Sequence, residues 1–480
     1  MGLPSLHSPE DAARWLRARG ARRLVTHHQA VRPGDAWLAW PGARHDPRIH
    51  VQDALKAGAV ACLLEAHHLP EGLSPHQELA TLANLKTWAG PVAGFFLDSP
   101  SQGLHVTAVT GTNGKTSTAW WLAHAWAQQG QPCGLVGTLG MYLVDKVGGS
   151  GPTLQQAPTG SSSVLTTPDA VSLQTQWRQW ADRGLGHVAM EASSIGLEEY
   201  RLAGTQVEMA LFTNLTRDHL DYHGTMERYW AAKCRLFEGP LQAAGINIDD
   251  SHGAQLAQTL RTRGLDLWTV SSGGPGAEHA RLRAADIVPA QGGTQFVVHE
   301  RDEREIQTWA PVVGTFNVNN LLLVLAALRH GGVPLDVALA HLAKIPVVPG
   351  RMQRVNQSLN EPQVFVDFAH TPDALEKVLH TLQPLARASG GRLWCVFGCG
   401  GQRDRGKRPL MARSAASWAQ CLVLTSDNPR QESPADIIND MAQGLPAGSS
   451  VQVQQITDRA EAIFWAVAHA QAEDVVLIAG

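Results

Sequence analysis

The 480-residue sequence predicts an α/β fold in three domains. A small α/β domain is expected over residues 1–103, a central domain with a mostly parallel sheet over 104–346, and a further α/β domain over 347–480. Three observations lead there. The length suits about three cores of ordinary size. From residue 104 onward, short apolar runs alternate with helical stretches, the pattern of a parallel sheet covered by helices. Breaks rich in proline and glycine fall at Ser99-Pro100-Ser101-Gln102-Gly103 and at Ile345-Pro346-Val347-Val348-Pro349-Gly350.

The elements follow in order. A helix over 51–58 and a strand over Ala59–Leu64 typify the first domain. The second opens with the strand Val106–Val109, a glycine turn, and a helix over Thr116–Gln129 that ends at Gly130. Apolar strands recur at 133–139, 186–192 and 207–213, and Thr166-Thr167-Pro168-Asp169 reads as a cap and first-turn proline opening a helix. The last domain repeats the pattern in Rossmann-like form, with strands at 363–368, 392–397, 421–425 and 474–479. Its helix starts are marked by Thr371-Pro372 and by Ser433-Pro434-Ala435-Asp436.

Composition narrows the function. With 17% charged and 44% apolar residues and a net charge of −4, the chain offers no broad basic surface for nucleic acid. No apolar run reaches the roughly 18 residues that span a bilayer. The first residues, Met-Gly-Leu-Pro-Ser-Leu-His, lack the features of a secretion signal. Six scattered cysteines suggest reduced thiols. The expectation is a cytoplasmic protein with small-molecule partners, no nucleic acid and no membrane.

The strongest chemical signal is residues 107–118. A strand runs into Gly111-Thr112-Asn113-Gly114-Lys115-Thr116-Ser117, which opens a helix. Such a turn gathers backbone N–H groups around a phosphate chain, with Lys115 for the outer phosphates and the Thr116 hydroxyl for Mg²⁺. The longer standard motif would place glycine at Val109, so this is a shorter variant. ATP is the expected ligand. Glu191, His219 and Lys233 follow on the same sheet, and with Thr116 they suit one or two Mg²⁺ ions. In the last domain, Gly400 to Arg408 forms a glycine-softened basic loop, and Asp427-Asn428-Pro429-Arg430 leaves the next strand. Both lie at strand ends, where α/β sheets bind ligands, and both suit a small acidic molecule.

Taken together these residues resemble the Mur ligases, ATP-dependent amide-bond ligases of cell-wall precursor synthesis. The resemblance runs along nearly the whole chain. It rests on TGTNGKTS (110–117), TTP (166–168), MEASS (190–194), FTNLTRDHLDYHG (212–224), AAKCRLF (231–237), GTFNVNN (314–320), PGR (349–351), VDFAHTPDAL (366–375), FGCGGQRDRGKRP (397–409) and DNPR (427–430). It implies an N-terminal domain for a UDP moiety, a central ATPase domain and a C-terminal domain for an incoming amino acid. It also implies phosphorylation of a carboxylate by ATP, then attack on the acyl phosphate by an amine, releasing ADP and phosphate. The branch it points to adds meso-2,6-diaminopimelate to UDP-N-acetylmuramoyl-L-alanyl-D-glutamate.

Roles carried over by the resemblance are these. Lys115 and Thr116 fall on the phosphate and Mg²⁺ positions, and Glu191 and His219 on metal positions. Lys233 falls on a lysine that becomes N6-carboxylysine, an anion able to support Mg²⁺. Asn317, Arg351 and Asp367 fall on nucleotide contacts. Thr166, Thr167, Ser193 and Arg201 match positions that hold the UDP-peptide. Arg403, Asp427, Asn428 and Arg430 match the diaminopimelate pocket, where Arg430 would meet a second carboxylate that lysine lacks. The family's N-terminal Asp-Ser-Arg reads His27-His28-Gln29 here, leaving Arg44 to Arg48 as the remaining candidates for UDP contact. Ile195 and Glu199 replace the usual His and Gln. The chain stops at Gly480, where the family continues with Lys-Gly-His-Glu. That ending predicts a fragment of a longer or fused protein, or an incomplete pocket. Two rivals are a folylpolyglutamate synthase-like ligase and a truncated, non-catalytic nucleotide-binding module.

Overall fold

The computed structural model describes residues 3–42, 45–71, 73, 76–145, 153–156, 165–290, 292–301, 305–356, 360–446, 448 and 450–480. Arg44 lies outside these residues. The chain divides into two compact units: Met1–Thr110, Trp126–Leu211 and Ala232–Ala244 form one, and Gly111–Ala125, Phe212–Ala231 and Gly245–Gly480 the other. Among the described residues no helix is long and apolar enough to cross a membrane.

The first unit begins with β1 (Ser5–Leu6), β2 (Arg23–Val25), β3 (Asp35–Ala39), β4 (Ala61–Glu65) and β5 (Leu79–Leu82). They form an all-parallel sheet in the order β1-β5-β4-β3-β2. Strands β3, β4 and β5 are buried along their whole length, as continuous apolar runs in a sheet covered on both faces must be. Helices Pro9–Ala18 and Leu85–Phe96 pack Leu16, Leu85 and Val92 against Ala36 and Leu38 on one face. Helix Val51–Lys56 packs Val51 and Ala54 against Trp37 and Cys62 on the other. Arg48, a candidate for UDP contact, is consumed internally. It is 1% exposed, and its guanidinium donates to Asp46 and to the carbonyls of Glu65, His67 and His68.

The same unit continues through β6 (His105–Thr110), β7 (Cys133–Gly137), β8 (Gly140–Asp145), β9 (Thr153–Gln156), β10 (His187–Glu191) and β11 (Met209–Phe212), in the order β11-β6-β10-β7-β8-β9. The predicted strands at 133–139, 186–192 and 207–213 are present, each slightly shorter. The β6-β10-β7 core is parallel, whereas β8 and β9 add antiparallel. The Ser99–Gly103 break is a packed 3₁₀ corner. Pro100 and Ser101 are buried, and Ser101 Oγ accepts from Gln206 N at 3.0 Å.

After its passages through Gly111–Ala125 and Phe212–Ala231, the chain returns to the second unit within β12 (Ala243–Asn247) and continues through β13 (Asp266–Ser271), β14 (Leu282–Ala290), β15 (Gly293–Glu300) and β16 (Ile306–Ala310). Here β14, β15 and β16 form an antiparallel meander. Burial alternates along β15, so one face meets solvent. This accounts for its absence from a reading tuned to continuous apolar runs.

The last sheet comprises β17 (Gln353–Arg354), β18 (Gln363–Asp367), β19 (Leu393–Phe397), β20 (Cys421–Leu424), β21 (Gln452–Gln455) and β22 (Val475–Ala479). Its order is β17-β18-β22-β19-β20-β21, parallel except for β17. Thr371 caps Pro372–Ala388 by accepting from Ala374 N, and Ser433 caps Pro434–Ala442 by accepting from Asp436 N, as the sequence predicts. Asp367, Gly398, Asp427 and Gly480 all lie at or just beyond carboxyl ends of parallel strands, the ligand edge of such sheets.

Candidate active site

In the second unit, the loop 111–114 precedes helix Lys115–Gln128, so the helix N-terminus aims its free N–H groups out of the loop. Gly111 has φ +146°, and a Cβ there would sit 1.9 Å from Thr213 Oγ1. The loop is knitted to residues 213–216. Thr112 N donates to Asn214 O at 2.8 Å, Asn113 N to Asn214 Oδ1 at 3.0 Å, and Thr213 Oγ1 to Asn113 O at 2.6 Å. Tyr229 Oη donates to Thr112 Oγ1 at 3.1 Å, and burial pushes that phenol well above its ordinary value. Lys115 Nζ lies 2.8 Å from Gly111 O and 2.9 Å from Thr112 O, against the loop it is predicted to serve.

Beside the loop a cavity is lined by Asn113, Gly114, Ser117, Asn317, Asn320, Arg351, Asp367 and Phe368, among others. Arg351 Nη2 donates to Thr116 Oγ1 at 3.1 Å, and its guanidinium lies 5.2 Å from the centre of the Phe368 ring. Asp367 is buried and accepts from Met352 N at 2.7 Å. Burial pushes its carboxyl up, against the pull of Arg351. Asn317, Arg351 and Asp367 are therefore gathered with Gly114 and Ser117 around one cavity. Asn320, Phe368 and Lys377 join them; they lie inside or beside motifs whose other residues drew notice.

A second cavity in this unit is lined by Asp218, His219, Asp221, His370, Arg403, Lys407, Asp427, Arg430 and Gly480. His219 has φ +53° and Nε2 3.3 Å from Asp218 Oδ2. Asp218 also faces His370 Nε2 at 3.4 Å and Lys407 Nζ at 3.9 Å. Burial would raise the Asp218 carboxyl, but the His370 hydrogen bond and the charges of His219, His370 and Lys407 outweigh it and hold it well below the usual range. Arg430 Nη1 donates to Gly401 O at 2.7 Å, and Gly401 N to Asn428 O at 2.9 Å, so the two predicted anion loops touch. Arg403 reaches Asp221 at 3.0 Å, and Arg217 pairs with Asp404.

Arg408 departs from the reading of Gly400–Arg408 as an open basic loop. It is fully buried, pairing with Glu432 at 2.9 Å and Asp440 at 2.8 Å. Its hydrogen bonds hold Glu432 down to about 2. Glu432 in turn accepts from Gln402 N, which ties the two loops from beneath. Lys407 belongs to the basic loop the sequence marks, but its grouping with Asp218 and His370 is spatial, since the three stand far apart in sequence.

In the first unit, Glu191, Thr166, Thr167, Ser193 and Arg201 meet. Glu191 Oε1 accepts from Thr138 N at 2.8 Å, and Thr138 Oγ1 lies 3.2 Å from Thr166 Oγ1. Thr167 Oγ1 donates to Glu191 O at 2.8 Å and accepts from Ser193 N at 3.0 Å, while Arg201 Nη1 donates to Thr167 O at 3.0 Å. Thr167 is thus a buried strut. The cap of helix Ala170–Asp182 is Asp169, with Pro168 just outside the helix, because a carboxylate reaching both Val171 N and Ser172 N satisfies more free donors than Thr167 could. Lys233 lies near the end of helix Met226–Cys234 and is 1% exposed.

A phosphate-type loop, a cavity beside it and a cation-rich pocket at the edge of a parallel sheet define a nucleotide-using α/β protein with a separate anion site. Models of the Mur ligase middle domain and of the Mur ligase glutamate ligase domain match residues 109–328 and 350–480. The chain belongs to the Mur ligase family. It is 48% identical to a UDP-N-acetylmuramoyl-L-alanyl-D-glutamate–2,6-diaminopimelate ligase of Acidovorax sp. (strain JS42), over 100% of this chain and 93% of that protein. It is 42% identical to the ligase of the same name from Janthinobacterium sp. (strain Marseille), over 97% and 90%. A solved structure bearing that name superposes with a TM-score of 0.66 at 34% identity, over 96% of this chain and 89% of that one.

Proposed function

We propose that this chain is an ATP-dependent amide ligase that joins meso-2,6-diaminopimelate to UDP-N-acetylmuramoyl-L-alanyl-D-glutamate in peptidoglycan precursor synthesis. The observation that carries the reading is the pocket where Arg403, Lys407 and Arg430 assemble at strand ends, in the unit that also holds the phosphate loop. Diaminopimelate bears two carboxylates, and a planar guanidinium is the group suited to grip one of them. Relatives 40–48% identical over nearly the whole chain carry that substrate in their names.

The reaction follows from the groups present. Loop N–H groups and Lys115 bind the triphosphate and offset charge on the transferred phosphoryl group, which passes to the D-glutamyl side-chain carboxylate. A carboxylate is a poor electrophile, and phosphorylation supplies its leaving group. The amine of the amino acid attacks the acyl carbon, phosphate departs, and ADP remains. Asn317, Arg351 and Asp367 hold the nucleoside, and Thr166, Ser193 and Arg201 the peptide end of the UDP substrate, while the buried Thr167 braces Ser193 and Arg201 from within rather than touching the substrate. The hydroxyl of Thr116, the carboxylate of Glu191 and the imidazole of His219 are donors of the type Mg²⁺ accepts; the ion would neutralise phosphate charge. Lys233 is buried, and as N6-carboxylysine it would add a further oxygen donor. Residues 1–103, 104–346 and 347–480 serve the UDP moiety, ATP and the amino acid respectively. We place the reaction in the cytoplasm, where ATP and nucleotide-linked precursors are available.

The test is phosphate release. It should require the UDP-dipeptide and diaminopimelate together, with lysine a poor substitute. Arg430→Ala should depress diaminopimelate use by at least about tenfold while ATP affinity stays. Turnover that ignores both acceptors, or equal loss of ATP and diaminopimelate binding in the variant, overturns the proposal.

A further inference from the structure

The His27-His28-Gln29 segment, in the domain assigned above to the UDP moiety, lies in a cluster of imidazoles. His28 starts the 3₁₀ turn His28–Ala30, His50 ends the 3₁₀ turn Pro47–His50, and Asp53 lies in the first turn of helix Val51–Lys56. The His28 and His50 rings stack at 4.1 Å and 13°, and His45 lies 5.5 Å from His50. His50 Nδ1 stands 3.1 Å from Asp53 Oδ2. One ligand atom from each of His28, His50 and Asp53 falls within 4.8 Å of the others.

We propose that His28, His50 and Asp53 form a site for a divalent transition metal, with Zn²⁺ the ion their ligand set fits. Two imidazole nitrogens and one carboxylate oxygen are ligands of intermediate softness, the choice of Zn²⁺ and its first-row neighbours rather than of Mg²⁺ or Ca²⁺. The geometry agrees. Bonds of about 2.0–2.2 Å in a tetrahedron put ligand atoms about 3.4 Å apart, and the His50–Asp53 edge is already close to that. Because the His28 ring now stacks on His50, with the in-plane lone pairs of the two rings nearly parallel, binding requires His28 to rotate about its side-chain bonds until one nitrogen turns toward the ion. The fourth position falls to water or to His45. The partly exposed site lets an ion enter without chain opening. Its structural effect is to fasten the 28–30 turn to helix Val51–Lys56. Thr26, His27, Ala30 and Arg32 flank that turn and line a cavity with Asp169 and Ser172 in the same unit, so the ion fixes one wall of it. The proposal does not depend on the phosphate loop or the amino-acid pocket, since none of these ligands serves either.

The experiment titrates the tag-free, metal-stripped full chain with Co²⁺ alone, without nucleotide, and follows visible absorption, which reports inner-sphere coordination. A saturable band at one equivalent, displaced by Zn²⁺, is expected. His50→Ala should abolish it, and His28→Ala and Asp53→Asn should each weaken binding by at least about tenfold. His68→Ala should leave the curve unchanged. Thermal unfolding of each variant in EDTA should match the parent, which separates ligand loss from misfolding. A band that persists with equal midpoint in all three ligand variants overturns the site. So does a band lost on His219→Ala and retained on His50→Ala, which would place the ion in the central domain. Absence of any saturable band overturns it as well.

Discussion

Replacing Gly401 with alanine should disable the amino-acid pocket while sparing the nucleotide site. A Cβ at residue 401 would stand 1.9 Å from Pro429 O and 2.6 Å from Pro429 C. Carbon makes no stable contact with backbone under about 3 Å, so the Pro429 peptide must retreat by about 1 Å or more. That retreat stretches the Gly401 N to Asn428 O bond of 2.9 Å and the Arg430 Nη1 to Gly401 O bond of 2.7 Å. Both hold the cation of the 427–430 loop in place. Arg430 is solvent-exposed, so the stability lost is modest, about 1–2 kcal/mol. The kinetic cost is larger, because a 1 Å error in a substrate-positioning group costs about 100-fold. Steady-state phosphate release against diaminopimelate should therefore show kcat/KM down by about two orders of magnitude. ATP affinity, measured by calorimetry, should stay within about twofold, since Pro429 is not among the residues lining the cavity beside the loop. If the variant retains parental kcat/KM for the amino acid, the close approach of the two loops has no bearing on its capture. If ATP affinity falls in step, the pocket has been assigned to the wrong ligand.

Arg351→Ala should weaken ATP binding by about 10- to 100-fold, since it removes the hydrogen bond to Thr116 Oγ1 and the contact with Phe368; unchanged affinity by calorimetry would refute that role. His124 should make stability fall with acidification. Burial pushes its imidazole down to about 4, with Nδ1–H donated to Trp120 O at 2.8 Å as a partial counterweight. The folded value lies below the unfolded value of about 6.5, so stability is complete above that pH and lost as pH falls toward 4, by up to about 3 kcal/mol. Denaturant melts of the parent and His124→Gln should differ in pH slope across that window; parallel slopes count against it. Asp474→Ala should cost about 3 kcal/mol in urea unfolding. It removes the buried acceptor for Arg392 N at 2.6 Å, Trp394 Nε1 at 2.8 Å and Gln471 N at 3.0 Å, and a cost below about 1 kcal/mol would contradict this.

The parallel cores were legible in the sequence because strands buried on both faces read as unbroken apolar runs, as in Leu393–Phe397 and Val475–Ala479. Antiparallel strands such as Gly293–Glu300 escaped notice because one face is wet and the run is broken by polar residues. The phosphate loop was plain, since its geometry is local to a dozen residues. Charged residues were the harder case. Arg48 and Arg408 look like surface cations in sequence, yet each is buried by acceptors brought in from elsewhere: the Glu65, His67 and His68 carbonyls for one, Glu432 and Asp440 for the other. A chain shows where its cations are but not which have already been neutralised by distant partners. For the same reason Thr167, which looked like a helix cap, is a strut under Glu191 and Ser193.

The two ion pairs between the 217–221 segment and the 403–404 turn are crossed. Arg217 on the first segment holds Asp404, and Arg403 on the second holds Asp221. Each side gives the other one cation and takes one anion, so the clasp carries no net charge, and its arginines are nearly half exposed. Such a fastening is weak in physiological salt and weaker in concentrated salt. If the pocket takes the amino acid as proposed, ionic strength thereby becomes a dial on its mouth, freeing Arg403 for an incoming carboxylate even as it screens the attraction between them.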